Sequence, residues 1–159
     1  MAIVFLNQSQ CSICHTIMYE HEKIIQFPAF TSNQKDPLYQ FSDESFHYSC
    51  LEKHPLYQKA LGCRETIVFK TRPENRICDI GGNRIDQPEN YLFIGLLTSD
   101  DSNPLYAFNF MNIDIQNIPT WPKKEGFLSL LEQFSAEDQW QSSSSFDYLD
   151  YLMKKIQAF

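Results

Sequence analysis

Glycine is scarce in this chain, at five of 159 residues, and no P-loop, G-x-S-x-G or H-E-x-x-H motif occurs. No apolar run approaches the roughly 20 residues that a membrane-spanning helix needs, which excludes a helical membrane protein. Basic residues are outnumbered: 13 Lys and Arg face 20 Asp and Glu, for a formal charge of −7. Phosphate contacts need clustered Lys and Arg, so a nucleic-acid footprint is not expected. The stretch Met1–Asn7 has no basic start and only a short apolar segment, so it does not read as an export signal. A cytoplasmic location follows as the expectation. With five cysteines, an odd number, a secreted disulfide scaffold is excluded on the same reasoning.

The composition is that of a globular protein. Hydrophobic residues make up 43%, charged residues 21% and aromatic residues 14%, and the aromatic share is high. Acidity favours a basic partner, because opposite charge raises the rate of encounter.

Two cysteine pairings carry chemistry. Cys11-Ser-Ile-Cys14 is a C-x-x-C knuckle, and Phe46-His47-Tyr-Ser-Cys50-Leu51 is an H-x-x-C at the start of a helix-like stretch. A knuckle aims both sulfurs to one side, and residues three apart on a first helical turn share a face. Cys11, Cys14, His47 and Cys50 thus supply three thiolates and one imidazole, the four ligands of a closed tetrahedral zinc site. One structural zinc is expected. The alternative is that the four pack as small buried side chains around a core histidine. Cys11-Ser-Ile-Cys14-His15 also matches C-x-x-C-H, the c-type haem attachment pattern, but that chemistry needs export, and His15 is read as a surface or outer-shell residue. Nothing beside Cys63 in sequence activates it as a nucleophile.

The chain also repeats itself at an offset of 67. Over positions 11–55, ten are identical to those 67 further on, where about three are expected by chance. Pro37-Leu-Tyr-Gln-Phe41 lies over Pro104-Leu-Tyr-Ala-Phe108, for example. The four ligand positions map to Cys78, Gly81, Asp114 and Asn117. One thiolate and one carboxylate cannot close a tetrahedron, so the second copy is expected to bind no metal and to fold by packing.

The fold class expected is α+β: two tandem units, each a knuckle, a hairpin and a helix, plus C-terminal helices. Residues 1–64 form the metal-binding unit and 65–159 the metal-free copy with the added helices. Strands are expected over 2–6, Glu22–Phe30 paired with Pro37–Phe41, and Thr66–Lys70. Their counterparts are Tyr91–Thr98 with Leu105–Phe110. Helices are expected over Phe46–Leu61 and Ile113–Ile118. Further helices follow Lys124, where Phe127, Leu130, Leu131 and Phe134 share one face. Ser135–Asp138 reads as the opening of another turn, Ser142–Ser145 as a loop, and Ser144–Asp147 as a capping box.

C-x-x-C followed by F-H-x-x-C-L resembles the treble-clef zinc fingers, including LIM and RING-type modules. The resemblance covers about residues 8–61 and, in decayed form, 75–122, and it implies zinc held by Cys11, Cys14, His47 and Cys50. The spacer between Cys14 and His47 is longer than is usual in LIM, and no second ligand quartet completes a RING-like cross-brace. More loosely, the layout is similar to small bacterial zinc-knuckle immunity proteins of polymorphic toxin systems. That similarity implies a non-enzymatic inhibitor of a basic partner such as a nuclease toxin. Acidic contacts are then expected from Asp43, Glu44, Asp100, Asp101, Glu137, Asp138, Asp147 and Asp150. The alternative is a zinc-finger protein that binds nucleic acid or regulates transcription.

Overall fold

A computed structural model describes residues 3–142 and 144–159. The protein is α+β. In chain order it has β1 (Ile24–Gln26), β2 (Ser45–His47), α1 (Tyr48–Leu51), α2 (Tyr57–Lys70), β3 (Tyr91–Phe93), β4 (Asn112–Asp114), α3 (Lys124–Ala136) and α4 (Tyr148–Gln157). The strands form two separate antiparallel pairs, β1–β2 and β3–β4. Among the described residues, no helix is long and apolar enough to cross a membrane.

The chain follows one path twice. Ile24 pairs with His47, and their counterparts one repeat later, Tyr91 and Asp114, pair with each other. The isolated bridges Gln10–Ile17 and Ile77–Arg84 obey the same offset. So do the helices that follow: α2 begins at Tyr57 and α3 at Lys124. Side-chain braces recur as well. The Ser42 hydroxyl accepts the Phe30 and Thr31 N–H groups, and the Asn109 carboxamide accepts those of Leu97 and Thr98. Even the left-handed residues correspond, His15 (φ 58°) with Gly82 (φ 71°) and Asp43 (φ 61°) with Phe110 (φ 59°).

Several elements differ from the sequence expectation. The partner of β1 is β2, not Pro37–Phe41, which instead turns through a 3-10 segment at Tyr39–Phe41. Asp36 Oδ1 accepts the Leu38 N–H (2.8 Å), and the equivalent Asn103 Oδ1 accepts that of Leu105 (2.9 Å). An Asp or Asn followed by Pro favours a turn over a strand. Leu105–Phe110 is likewise a 3-10 segment (Pro104–Phe108) rather than a strand. The helix expected over Phe46–Leu61 breaks between Leu51 and Tyr57, where Pro55 cannot donate. Thr66–Lys70 is not a strand but the last turns of α2, and the Thr66 hydroxyl bonds back to the Gly62 carbonyl (2.8 Å). Helix α2 therefore runs unbroken across residues 64 and 65. Ile113–Ile118 gives a strand end and a 3-10 segment (Ile115–Thr120), because Pro119 denies it an α-helical ladder. Ser135 and Ala136 end α3, and the expected turn follows at Glu137 and Asp138, with the Asp138 N–H on the Ser135 carbonyl (3.1 Å) and Asp138 at φ 57°. Of the strand expected over 2–6, residue 2 lies outside the described residues, and residues 3–6 form none. Residue 143 of the serine loop also lies outside them. The N-cap of α4 is Asp147, which accepts the Asp150 N–H (3.1 Å), rather than Ser144.

Two apolar cores follow from the two halves. The first centres on Phe27, Phe30, Phe41 and Phe46, and it takes in Leu96 and Phe110 from the second half. The second centres on Ile113, Leu105, Phe127 and Leu131 and is closed by Leu149, Leu152 and Ile156 of α4. Asn33, 2% exposed, joins the halves. Its amide donates to the Leu97 (3.4 Å) and Gln139 (3.0 Å) carbonyls, and its Oδ1 accepts the Lys35 and Gln141 N–H groups (3.1 and 3.2 Å). Asn33→Ala takes these partners from the buried Leu97 carbonyl and from the partly buried backbone groups of Lys35, Gln139 and Gln141. It should lower the unfolding free energy by about 1–3 kcal/mol in a urea titration, with little change in secondary structure by circular dichroism.

Candidate metal centre

The knuckle is built by its backbone. The Cys11 N–H donates to the Thr16 carbonyl (2.9 Å), and the His15 N–H returns to the Cys11 carbonyl (2.8 Å). That turn needs one residue in the left-handed region, and His15 supplies it at φ 58°. His15 is exposed there, and it is not one of the clustered ligands. Across from the knuckle, β2 ends at His47 and α1 starts at Tyr48, so His47 and Cys50 face the two sulfurs from a strand-to-helix corner. The Ser12 N–H donates to the Ser45 carbonyl (3.1 Å) and ties knuckle to strand.

The ligand atoms of Cys11, Cys14, His47 and Cys50 all lie within 4.8 Å of one another. Cys14 Sγ is 3.3 Å and Cys50 Sγ 3.9 Å from His47 Nδ1. A tetrahedral zinc with ordinary bond lengths sets its ligand atoms about 3.6–3.8 Å apart. The cluster is thus compatible with one such ion. Cys11 and His47 are buried, Cys50 is partly so, and Cys14 is exposed.

Behind His47 stands Glu22, to which the sequence assigns only a place in a strand. Its Oε2 is 3.0 Å from His47 Nε2 and also accepts the Tyr19 N–H (2.7 Å). A carboxylate on Nε2 fixes the ring so that the Nδ1 lone pair faces the sulfurs. The Glu22 carboxyl is held below its usual range, first by the Tyr19 N–H and then by His47. Burial works against the charged imidazole, but the Cys14 sulfur and Glu22 outweigh it and leave the His47 pKa raised. No local motif announces Glu22; the one signal available is that the equivalent position of the second copy is also a glutamate, Glu89.

The thiols are unequal. Hydrogen bonds from the Thr16 hydroxyl and backbone hold Cys14 down at about 6, against an ordinary value of 9.0. Burial, with the Cys14 sulfur alongside, pushes Cys50 up to about 11. Cys14 is thus the ready ligand at neutral pH, and a metal must displace the Cys50 proton as it binds.

No protein-family model matches the chain, and neither a curated protein nor a solved structure matches it. The chemistry of the site rests on its own geometry.

The eight acidic residues expected at a partner surface have different local surroundings. Asp43 and Glu44 lie just before β2, beside the knuckle, where Glu44 accepts the Ser12 hydroxyl. Asp100 and Asp138 line a cleft of about 460 Å³ that also holds Lys35 and Lys59. Asp138 pairs with Lys35 there, and Asp100 accepts the Ser102 N–H and hydroxyl. Asp101 is exposed beside it, and Glu137 bonds Gln133 and Gln139. Asp147 caps α4, while Asp150 pairs with Lys154 (2.6 Å). The structure also separates exposed aromatics from the core, which the sequence could not. Phe146 and Tyr151 are exposed, with ring centroids 5.4 Å apart, next to Asp147 and Asp150.

Cys63 lines a separate cleft of about 410 Å³ between α2 and the second half. Burial pushes its thiol up to about 11, which favours the protonated form at neutral pH.

Two substitutions test the centre. Cys50→Ser should abolish tight metal retention, measured by mass spectrometry of metal in the purified protein. Glu22→Ala should keep a stoichiometric metal but weaken it about 10- to 100-fold in competition with a chromogenic chelator.

Proposed function

We propose that this is a non-enzymatic protein-binding protein whose first half is held by one structural zinc ion. The observation that carries the zinc reading is the Cys3His cluster with Glu22 on the outer nitrogen of its histidine. Three thiolates and an imidazole suit zinc over harder or octahedral ions. Four protein ligands leave no position for water or substrate, which fits a structural ion and not a Lewis acid. We read each half as a treble-clef-like unit, knuckle then hairpin then helix, with the metal kept only in the first.

The binding role is an inhibitor or immunity protein that occludes a basic partner such as a nuclease toxin. The net charge of −7 supports it, since it would steer a cationic partner towards the chain. Phe146 and Tyr151 add exposed rings flanked by carboxylates, the mixture of anchor and charge that interfaces favour.

Two measurements test this reading. Metal analysis should return about one zinc per chain; a protein purified without chelator that contains none would refute the metal role. A toxin-like reading frame beside the gene is expected; its product should form a one-to-one complex by calorimetric titration, with an association rate, followed by stopped flow, that falls as salt rises. Salt-dependent binding to DNA with no such complex would favour the nucleic-acid alternative.

A further inference from the structure

We propose that in the second half the carboxamide of Asn117 takes the place that the ion takes in the first. The chain then carries one metal-dependent lock and one metal-free lock on the same backbone corner. The metal-dependent lock rests on the zinc reading above; the metal-free lock stands on its own geometry.

Four residues of the second half, Cys78, Asn83, Asp114 and Asn117, stand 67 positions after Cys11, Thr16, His47 and Cys50. The backbone corner is the same. The His47 N–H donates to Cys11 Sγ (3.4 Å), and the Asp114 N–H donates to Cys78 Sγ (3.3 Å). Both sulfurs are buried. Where the first half turns its remaining ligands inward, the second places an amide. Asn117 Nδ2 donates to Cys78 Sγ (3.3 Å) and to Asn83 Oδ1 (2.6 Å). Asn83 Nδ2 in turn donates to Asp114 Oδ2 (2.9 Å), whose Oδ1 accepts the Gln116 N–H (3.1 Å). One carboxamide thus ties the knuckle to the helix-like turn after the sheet, the connection an ion makes elsewhere.

Gly81 shows that the space is filled. It stands at the position of Cys14, and a Cβ built on it would lie 2.3 Å from Asn117 Nδ2 and 2.7 Å from Asn83 Oδ1. A side chain at 81 would have to push both carboxamides aside, so a second knuckle cysteine and the Asn117 amide in this position exclude one another. The freed Gly81 N–H donates to Cys78 Sγ (3.4 Å). Loss of a metal by drift would leave an orphaned thiol and a hole. Here the buried sulfur has three donors, and burial's upward push on its pKa is overcome by them.

The test uses the full chain. Removal of metal with a chelator should speed exchange of the His47 amide at least 10-fold and leave the Asp114 amide protected, as read by NMR hydrogen exchange. Asn117→Ala should do the converse: faster exchange at Asp114, a Tm lower by about 3–8 °C, and an unchanged metal content. Gly81→Cys/Asn83→Thr/Asp114→His/Asn117→Cys should raise the content from one zinc to two. Wild-type protein with two zinc ions would overturn the proposal. So would Asn117→Ala with unaltered Tm and Asp114 exchange, or a folded quadruple variant that still holds one ion. If the quadruple variant does not fold, Asn117→Ala decides. Wild-type protein without zinc would sink the functional reading, while the Asn117→Ala result would still judge the amide lock.

Discussion

A cysteine sulfur buried under a strand-to-helix corner is the constraint on which each half is built. Its sheets are two strands of three residues, far too short to be stable alone. The first half is 64 residues and the second reaches 95 only with its C-terminal helices, and units this small bury little apolar surface against the entropy of ordering the chain. Something must therefore fasten the knuckle to the corner. The sulfur of Cys11 or Cys78 begins this by accepting the backbone N–H at the end of β2 or β4. The rest of the fastening differs: a cluster of ligands in one half, a chain of carboxamides in the other. A small domain commonly needs such a staple, and on the zinc reading the same corner is stapled by two different chemistries.

The halves are not independent beads. Leu96 and Phe110 enter the core of the first half, and Asn33 bonds both Leu97 and the Gln139–Gln141 segment. In each sheet one carbonyl of the first strand is capped by a side chain from a following helix. Arg64 Nε of α2 donates to the Gln26 carbonyl (2.7 Å), and the Tyr148 hydroxyl of α4 donates to the Phe93 carbonyl (2.7 Å). These carbonyls occupy equivalent positions of the two copies, yet a guanidinium caps one and a phenol the other. Each bond occupies one outward carbonyl and so blunts that edge against a further strand.

The distribution of charge bears on the binding role. Asp138, Asp150 and Asp79 sit in ion pairs, with Lys35, Lys154 and Lys70. Exposed pairs of that kind add little stability, and they also soften the field a partner would meet. On the proposed binding role, the acidity that would steer encounter is a property of the whole chain, and specificity would fall to shape and to anchors such as Phe146 and Tyr151.

The ligand quartet and the internal repeat were legible in the sequence, because both rest on local spacing and identity. Cys11, Cys14, His47 and Cys50 announce themselves as two short motifs, and the α+β class follows from elements of the right length. The strand partners were not legible. Ser45–His47 and Asn112–Asp114 are too short to show a period of two, whereas Pro37–Phe41 has strand-like composition and is bent by the Asp36 cap. Pro55 and Pro119 also outweighed the apolar patterns around them, because a missing donor acts wherever the chain is hydrogen-bonded. Glu22, Asn33 and Asn117 belonged wholly to the tertiary structure. Each works by reaching a residue 25 to 108 positions away, and nothing in the neighbouring sequence records such a reach. The sequence alone thus determined which atoms could bind a metal and how often the plan recurs. Only folding decided which carboxylate meets the histidine and which carboxamide meets the Cys78 sulfur, because those choices depend on where distant backbone segments meet.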